Sequence, residues 1–241
     1  MIIRALLKNC HNETTLAEHV SHRLFPNHDA IIAFSEEEYI VKNQTWIPQA
    51  GMSIGSIRRS TVITPDVSHG FHKKLFVSFP RATEFLGPAM CPLGPSVPIM
   101  FPFSTTELKG KTGNPGPKRE KGMLQNSNNA LSMLNNFLHL QEAAGQVVGH
   151  TCEPMYLVLT TFVTPKEIEL YVNWLSTSPT GDCRRSITYH SCLVKSWKLP
   201  EEFFEASDGL MNAIDYIRKG VQALVFRDVS SVEDALERTI T

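Results

Sequence analysis

The sequence lacks any long hydrophobic segment. No apolar run reaches the roughly 20 residues that a helix needs to cross a bilayer. The apolar start at residues 1–7 is interrupted by Arg4 and is not followed by a small-residue cleavage site, so no secretion signal is recognised. We therefore expect a soluble intracellular protein, in the cytoplasm or the nucleus, that is not secreted and has no membrane partner.

Cysteine is scarce and is not arranged in pairs. The five cysteines are an odd number and form no C-x-x-C motif, which argues against a disulfide framework and against a zinc ribbon. We expect all of them to be reduced thiols. They are Cys10, Cys91, Cys152, Cys183 and Cys192.

The sequence also has no excess of charge of either sign. With 23 Lys and Arg against 24 Asp and Glu, its formal net charge is -1. A protein that holds nucleic acid through its overall charge is strongly basic, so any such binding here has to be local. Short basic clusters are present at residues 58–59, 73–74, 109–121 and 184–185.

Composition and patterning predict one α/β domain over residues 1–241. The hydrophobic fraction of 42% and the charged fraction of 20% are ordinary for a globular protein, and no internal repeat divides the chain. Strand patterns are found at residues 30–34, 39–46, 61–64, 75–77, 97–109, 156–162, 168–176 and 187–199. Helical patterns are found at residues 14–24, after a loop at 110–118, and at 201–206, 209–226 and 232–238.

Two acids and one lysine stand where predicted strands end or break. Asp66 follows Pro65 at a break, and Glu107 and Lys109 close the apolar run 97–109. Side chains alternate along a strand, so Glu107 and Lys109 share one face, about 7 Å apart, while Leu108 points into the core. Carboxylate oxygens bind hard cations, and the main-chain carbonyl of Leu108 is a further candidate ligand. The pattern predicts a site for Mg²⁺ or Mn²⁺ beside an amine.

These segments resemble the PD-(D/E)XK nuclease superfamily, in particular uncharacterised nuclease-like domains of fungal proteins. The resemblance is carried by residues 64–71 (TPDVSHGF), 101–109 (FPFSTTELK), Gln125 with 130–134, and more faintly 168–174 with 189–190. It implies a restriction-endonuclease-like αβββαβ core: a central mixed sheet flanked by helices, with additional strands and helices at the C-terminus.

The resemblance also implies roles for individual residues. Asp66 and Glu107 would bind the metal, and Lys109 would act on the nucleophile. Gln125 would contact substrate near the metal. Glu18, on the first helix, would complete the metal site, with Glu13 as the weaker candidate. The sequence leaves open a phosphate contact by His69, three residues after Asp66.

The function expected on this basis is hydrolysis of phosphodiester bonds, in DNA first, with RNA not excluded. The alternative is an inactive nuclease-fold module that binds nucleic acid or a protein partner as an effector or recognition domain. A third hypothesis is an interaction scaffold with no role on nucleic acid. The sequence leaves the oligomeric state undetermined and a homodimer open. The amide-rich face of the long helix, which includes Asn128 and Asn129, either faces solvent or looks toward a ligand.

Overall fold

A computed structural model of the chain describes a set of segments that include most of its C-terminal two thirds. These are residues 7, 13–16, 20, 22–25, 38–42, 64–87, 90, 99–110, 115–145, 156–179 and 185–240. The predicted strand at 30–34 and the predicted metal ligand Glu18 lie outside the described residues. The predicted helix at 14–24 is described only in part.

Within the described segments, six strands form one mixed sheet. The strands are β1 (Glu38–Lys42), β2 (Val67–His72), β3 (Ile99–Leu108), β4 (Val158–Val163), β5 (Glu167–Pro179) and β6 (Arg185–Lys198). The helices are α1 (Glu13–Leu16), α2 (His22–Leu24), α3 (Pro80–Leu86), α4 (Pro115–Ala143) and α5 (Phe203–Ile240), with a 3₁₀ turn at Lys73–Phe76. The expected α/β class is confirmed, with helices flanking a mixed sheet. No helix in the described segments is both long and apolar enough to cross a membrane.

The strands lie in the sheet in the order in which they occur in the chain. Neighbouring strands are antiparallel except β3 and β4, which are parallel and are joined through α4. A parallel pair needs such a crossover, and it brings the carboxyl ends of both strands to the same edge of the sheet. Because β2 is antiparallel to β3, with Val67 opposite Thr106, the start of β2 lies at that edge too.

The two faces of the sheet are covered by different helices. Residues paired across strands share a face, and the side chains of Glu107 and Phe162 lie on the face covered by α4. Leu108, Val163, Ile168 and Trp197 lie on the other face, where Gly209 of α5 contacts the indole of Trp197. Both faces are therefore buried at the β3–β4 pair, and β3 is buried along its whole length.

Three predictions of secondary structure are wrong. The strand predicted at 75–77 is a 3₁₀ turn that starts where the main-chain N–H of Lys74 donates to His72 Nδ1 (3.1 Å), with Phe76 packed on Phe226. The loop predicted at 110–118 is helical from Pro115, because proline in the first helical turn loses no hydrogen bond. The three C-terminal helices are one helix, α5.

Candidate active site

The structure brings Asp66, Glu107 and Lys109 together at the edge where β3 ends and β2 begins. The main-chain N–H of Leu108 donates to Asp66 Oδ2 at 2.6 Å, and Lys109 Nζ lies 3.3 Å from Glu107 Oε2. The Leu108 side chain is buried, as the alternation along the strand predicts. Residues 42 positions apart in the chain are in direct contact here.

Glu107 is a buried acid with two hydrogen-bond donors. Only 1% of the residue is exposed, and its two carboxylate oxygens accept from Asn129 Nδ2 (2.8 Å) and from Lys109 Nζ. Burial, and then the charge of Asp66, raise the pKa of this carboxyl from 4.5 to about 7, against the opposing effects of Lys109 and Asn129. Burial is the largest of these effects, and the charge of Asp66 adds to it.

Lys109 is held against α4 through its aliphatic stem. Gly122 of α4 lies directly over it, since a Cβ placed on this glycine would stand 3.2 Å from Lys109 Cγ and would collide with the ring of Phe162. Only 8% of Lys109 is exposed. The missing side chain at position 122 therefore lets α4 approach the sheet closely enough to cover the lysine.

An ionic network fixes the first turns of α4 beside this site. Arg119 pairs with Glu167 and with Glu169 (2.5 Å), and its guanidinium lies 5.8 Å from the centre of the Phe162 ring. Tyr171 donates to Glu169 at 2.9 Å, and burial followed by this hydrogen bond raises the pKa of Tyr171 to about 12. The network joins α4 to β5 and so helps to hold α4 over Glu107.

Gln125 is half-buried on α4, four residues before Asn129 and hence on the same side of the helix. Its Oε1 atom is buried and has no hydrogen-bond partner among the described residues. The substrate contact predicted for Gln125 stays a prediction.

His69 does not belong to this site. It pairs with Ser104 across β2 and β3, which puts it on the face opposite Glu107. Its ring is buried and lies 5.2 Å, between centroids, from that of Phe25. The phosphate contact that was left open for this histidine is therefore excluded by its position in the core.

Asn129 and Gly122 contact the candidate site, and the sequence does not single out either position. Asn129 was noticed only as one of several amides on the long helix, and nothing in the local sequence distinguishes it from Asn128. Gly122 carried no signal, since an isolated glycine in a helix usually indicates only a weak propensity. The contacts of both positions depend on which residue of the sheet lies beneath each turn of α4.

The donors at this site fit a hard divalent cation. Asp66 and Glu107 supply carboxylate oxygens, the ligands that hard cations prefer. Within the segments described, no three His, Cys, Asp or Glu side chains gather at one point. Mg²⁺ is commonly held by one or two carboxylates and keeps several of its waters, so two acids are a sufficient protein contribution.

Comparison of the sequence with models of known protein families gives no match, and no curated protein matches it significantly. The functional assignment therefore depends on the geometry of this site.

Proposed function

We propose that the protein is a metal-dependent nuclease that hydrolyses phosphodiester bonds, in DNA first, at a centre formed by Asp66, Glu107 and Lys109. The observation that carries the proposal is the convergence of two acids and one lysine, from two distant parts of the chain, at one edge of the sheet. The proximity of two acids whose charges repel each other supports a cation at this edge of the sheet, because a cation favours the ionised form of both.

The order of the elements supports the same proposal. With α3 and a 3₁₀ turn inserted between β2 and β3, the order β1, β2, β3, α4, β4 is compatible with the βββαβ part of the expected core. Asp66 directly precedes β2 and Glu107 is the penultimate residue of β3, and the resemblance implies that both bind the metal.

Each residue has a distinct task in this proposal. Asp66 and Glu107 would hold Mg²⁺ or Mn²⁺ through their carboxylate oxygens. When bound, the cation would acidify a coordinated water and polarise the phosphate. Lys109, buried along its stem with its ammonium at Glu107, would orient the attacking water or neutralise charge on the phosphate. Gln125 would contact the substrate beside the metal.

The first prediction is that cleavage is lost when either Asp66 or Lys109 is replaced. The full chain is incubated with linear and plasmid DNA in Mg²⁺, Mn²⁺ or EDTA, beside Asp66→Asn and Lys109→Met. Because the first removes metal-binding charge and the second the positioned ammonium, we expect each to lower the cleavage rate by about 10²-fold or more, and EDTA to abolish cleavage.

Matched controls separate this effect from a general loss of charge. Lys219→Met and Glu84→Gln change exposed residues, the first on α5 and the second on α3. Both variants should cleave like the parent. Cleavage that persists in Asp66→Asn and Lys109→Met would place the activity elsewhere. A folded parent that neither binds Mn²⁺ in calorimetry nor cleaves would favour the non-cleaving module.

A further inference from the structure

The buried side-chain amide of Asn129 contacts Glu107, which is also paired with Lys109. Asn129 lies in the middle of α4 and is 2% exposed, and its Nδ2 donates to Glu107 Oε1 at 2.8 Å. The other oxygen of the same carboxylate faces Lys109 Nζ. Each oxygen of Glu107 therefore has its own donor, one from the sheet and one from the helix.

These two contacts fix the plane of the carboxylate. A carboxylate held by one donor can still rotate about its last bond, whereas donors on both oxygens define its orientation. An ionised carboxylate offers about four acceptor positions. The two hydrogen bonds use one on each oxygen, so acceptor positions remain on both oxygens.

The position of Asn129 is itself fixed by the packing of α4. Gly122, two helical turns earlier, lies against Phe162 and the stem of Lys109, and Arg119 pairs with Glu167 and Glu169 of β5. Rotation or lift of the helix would break these contacts before it released Asn129. The amide is therefore held by a rigid element, as a group that orients a metal ligand has to be.

We propose that Asn129 is the positioning residue of the metal centre: it orients the Glu107 carboxylate toward the cation without touching the cation or the substrate. The inference rests on the proposed function and adds to it a residue on α4. Neutral asparagine suits this task because it donates a hydrogen bond without adding charge to a site that already contains two acids and one lysine.

The test measures Mn²⁺ affinity by calorimetry on the full chain, with no nucleic acid present. In Asn129→Leu the side chain keeps a similar size but loses the donor. We expect Mn²⁺ binding to weaken by about 10- to 100-fold, the usual effect of removing the partner of a metal ligand. The matched control is Asn128→Leu, the adjacent amide on the same helix, which should leave the affinity unchanged.

A second variant keeps the test decisive if Asn129→Leu does not fold. Asn129→Ala removes the donor together with most of the side chain, so it introduces no overpacking. The rise in melting temperature on adding Mn²⁺ should be smaller than that of the parent, because the Glu107 carboxylate has lost the donor that orients it. A purely structural role predicts the same loss of stability with and without Mn²⁺.

The outcomes separate this inference from the proposed function. If the parent binds Mn²⁺ and cleaves DNA, but Asn129→Leu binds Mn²⁺ as tightly as Asn128→Leu, the positioning role is wrong and the nuclease remains. An Asn129→Ala variant whose Mn²⁺-induced rise equals that of the parent leads to the same conclusion. If the parent binds no Mn²⁺ at all, the metal centre is wrong and the role of Asn129 falls with it.

Discussion

At the scale of single residues, the central feature of the candidate site is Glu107, whose surroundings have opposing effects on its protonation. Burial and the charge of Asp66 favour the protonated form of Glu107, whereas its two donors favour the ionised form. The first effect is larger, which is why the pKa of the carboxyl is raised to about 7. A bound cation would reverse this balance, because it stabilises only the ionised form.

A pH-dependent stability follows for the metal-free protein. The folded state binds a proton at Glu107 up to about pH 7, whereas the unfolded state releases it near pH 4.5. Between these values the folded state carries more protons, so the free energy of unfolding falls as pH rises, by up to about 3 kcal/mol in total. Above pH 7 both states are ionised and the loss is complete.

Urea denaturation in EDTA, from about pH 5 to about pH 8, measures this loss. The control is Glu107→Gln, which cannot ionise and should lack this part of the pH dependence. The difference between the two profiles isolates Glu107 from the other titrating groups. Parallel profiles would show that Glu107 has an ordinary pKa in the folded protein.

At the scale of elements, α4 determines whether the site is assembled. It carries Asn129, covers Lys109 at Gly122 and is joined to β5 through Arg119. Its polar residues therefore do not all face solvent: Asn126, Asn129 and Asn136 are buried. Asn129 and Asn136 belong to the amide-rich face of the helix, so for these two residues the buried position excludes exposure to solvent.

The close approach at Gly122 gives a prediction for α4. Gly122→Ala introduces a Cβ that collides with Phe162 and crowds Lys109. Alanine has the better helix propensity, by about 1 kcal/mol, but overpacking typically costs about 1–3 kcal/mol. We expect a net loss of stability and a lower cleavage rate, measured by thermal unfolding and by the DNA assay.

Gly220→Ala in α5 is the matched control. This glycine is exposed, and a Cβ there meets nothing within 4 Å, so only the propensity term remains. The substitution should raise the free energy of unfolding by up to about 1 kcal/mol. A Gly122→Ala variant that gains stability to the same extent would mean that α4 does not pack this tightly on the sheet.

The sequence predicted best what depends on local pattern. The apolar run that ends in Glu107 and Lys109 predicts a strand because its length, its polar end and the loop after it are local signals. The contact between Asp66 and the end of that strand agrees with the expected convergence. Asp66 lies directly before β2, as a break after proline predicts, but β2 itself is not predicted, and the strand expected at 61–64 lies outside the described residues except for Thr64.

What depends on packing between distant segments was not predicted. The helix α5 was divided at Gly209, yet the structure is continuous there because the glycine lets the helix approach Trp197. The partner of Asn129 could not be assigned either, since it depends on how α4 is rotated above the sheet. Local propensity contains no information on either point.

At the scale of the whole molecule, α5 connects parts of the chain that are distant in sequence. Near its start, Ser207 donates to the main-chain oxygens of Arg23 and Leu24. Near its end, the Glu233 carboxylate accepts from the main-chain N–H of Ala82 at 2.7 Å, at the first turn of α3. The helix thus joins the N-terminal segment, the sheet and α3.

Removing the Glu233 contact should affect stability and leave the chemistry intact. Glu233→Ala deprives the first turn of α3 of a buried carboxylate acceptor, which typically costs about 0.5–2 kcal/mol. We expect a lower urea midpoint with an unchanged cleavage rate at temperatures where the variant is folded. Glu237→Ala, a loss of an exposed partner of Arg81, should cost less. A lower cleavage rate at temperatures where Glu233→Ala is fully folded would contradict this prediction.

The tether between Asp66 and the third strand is made with a peptide amide, not with a side chain. Every amino acid except proline offers that amide, so replacement of Leu108 by another residue would preserve the tether. Sequence drift at position 108 is therefore restrained by the fit of its side chain in the interior, while the spacing between the acid and the amine on either side stays constant. The residue between Glu107 and Lys109 can therefore vary without changing the position of Asp66 relative to the strand.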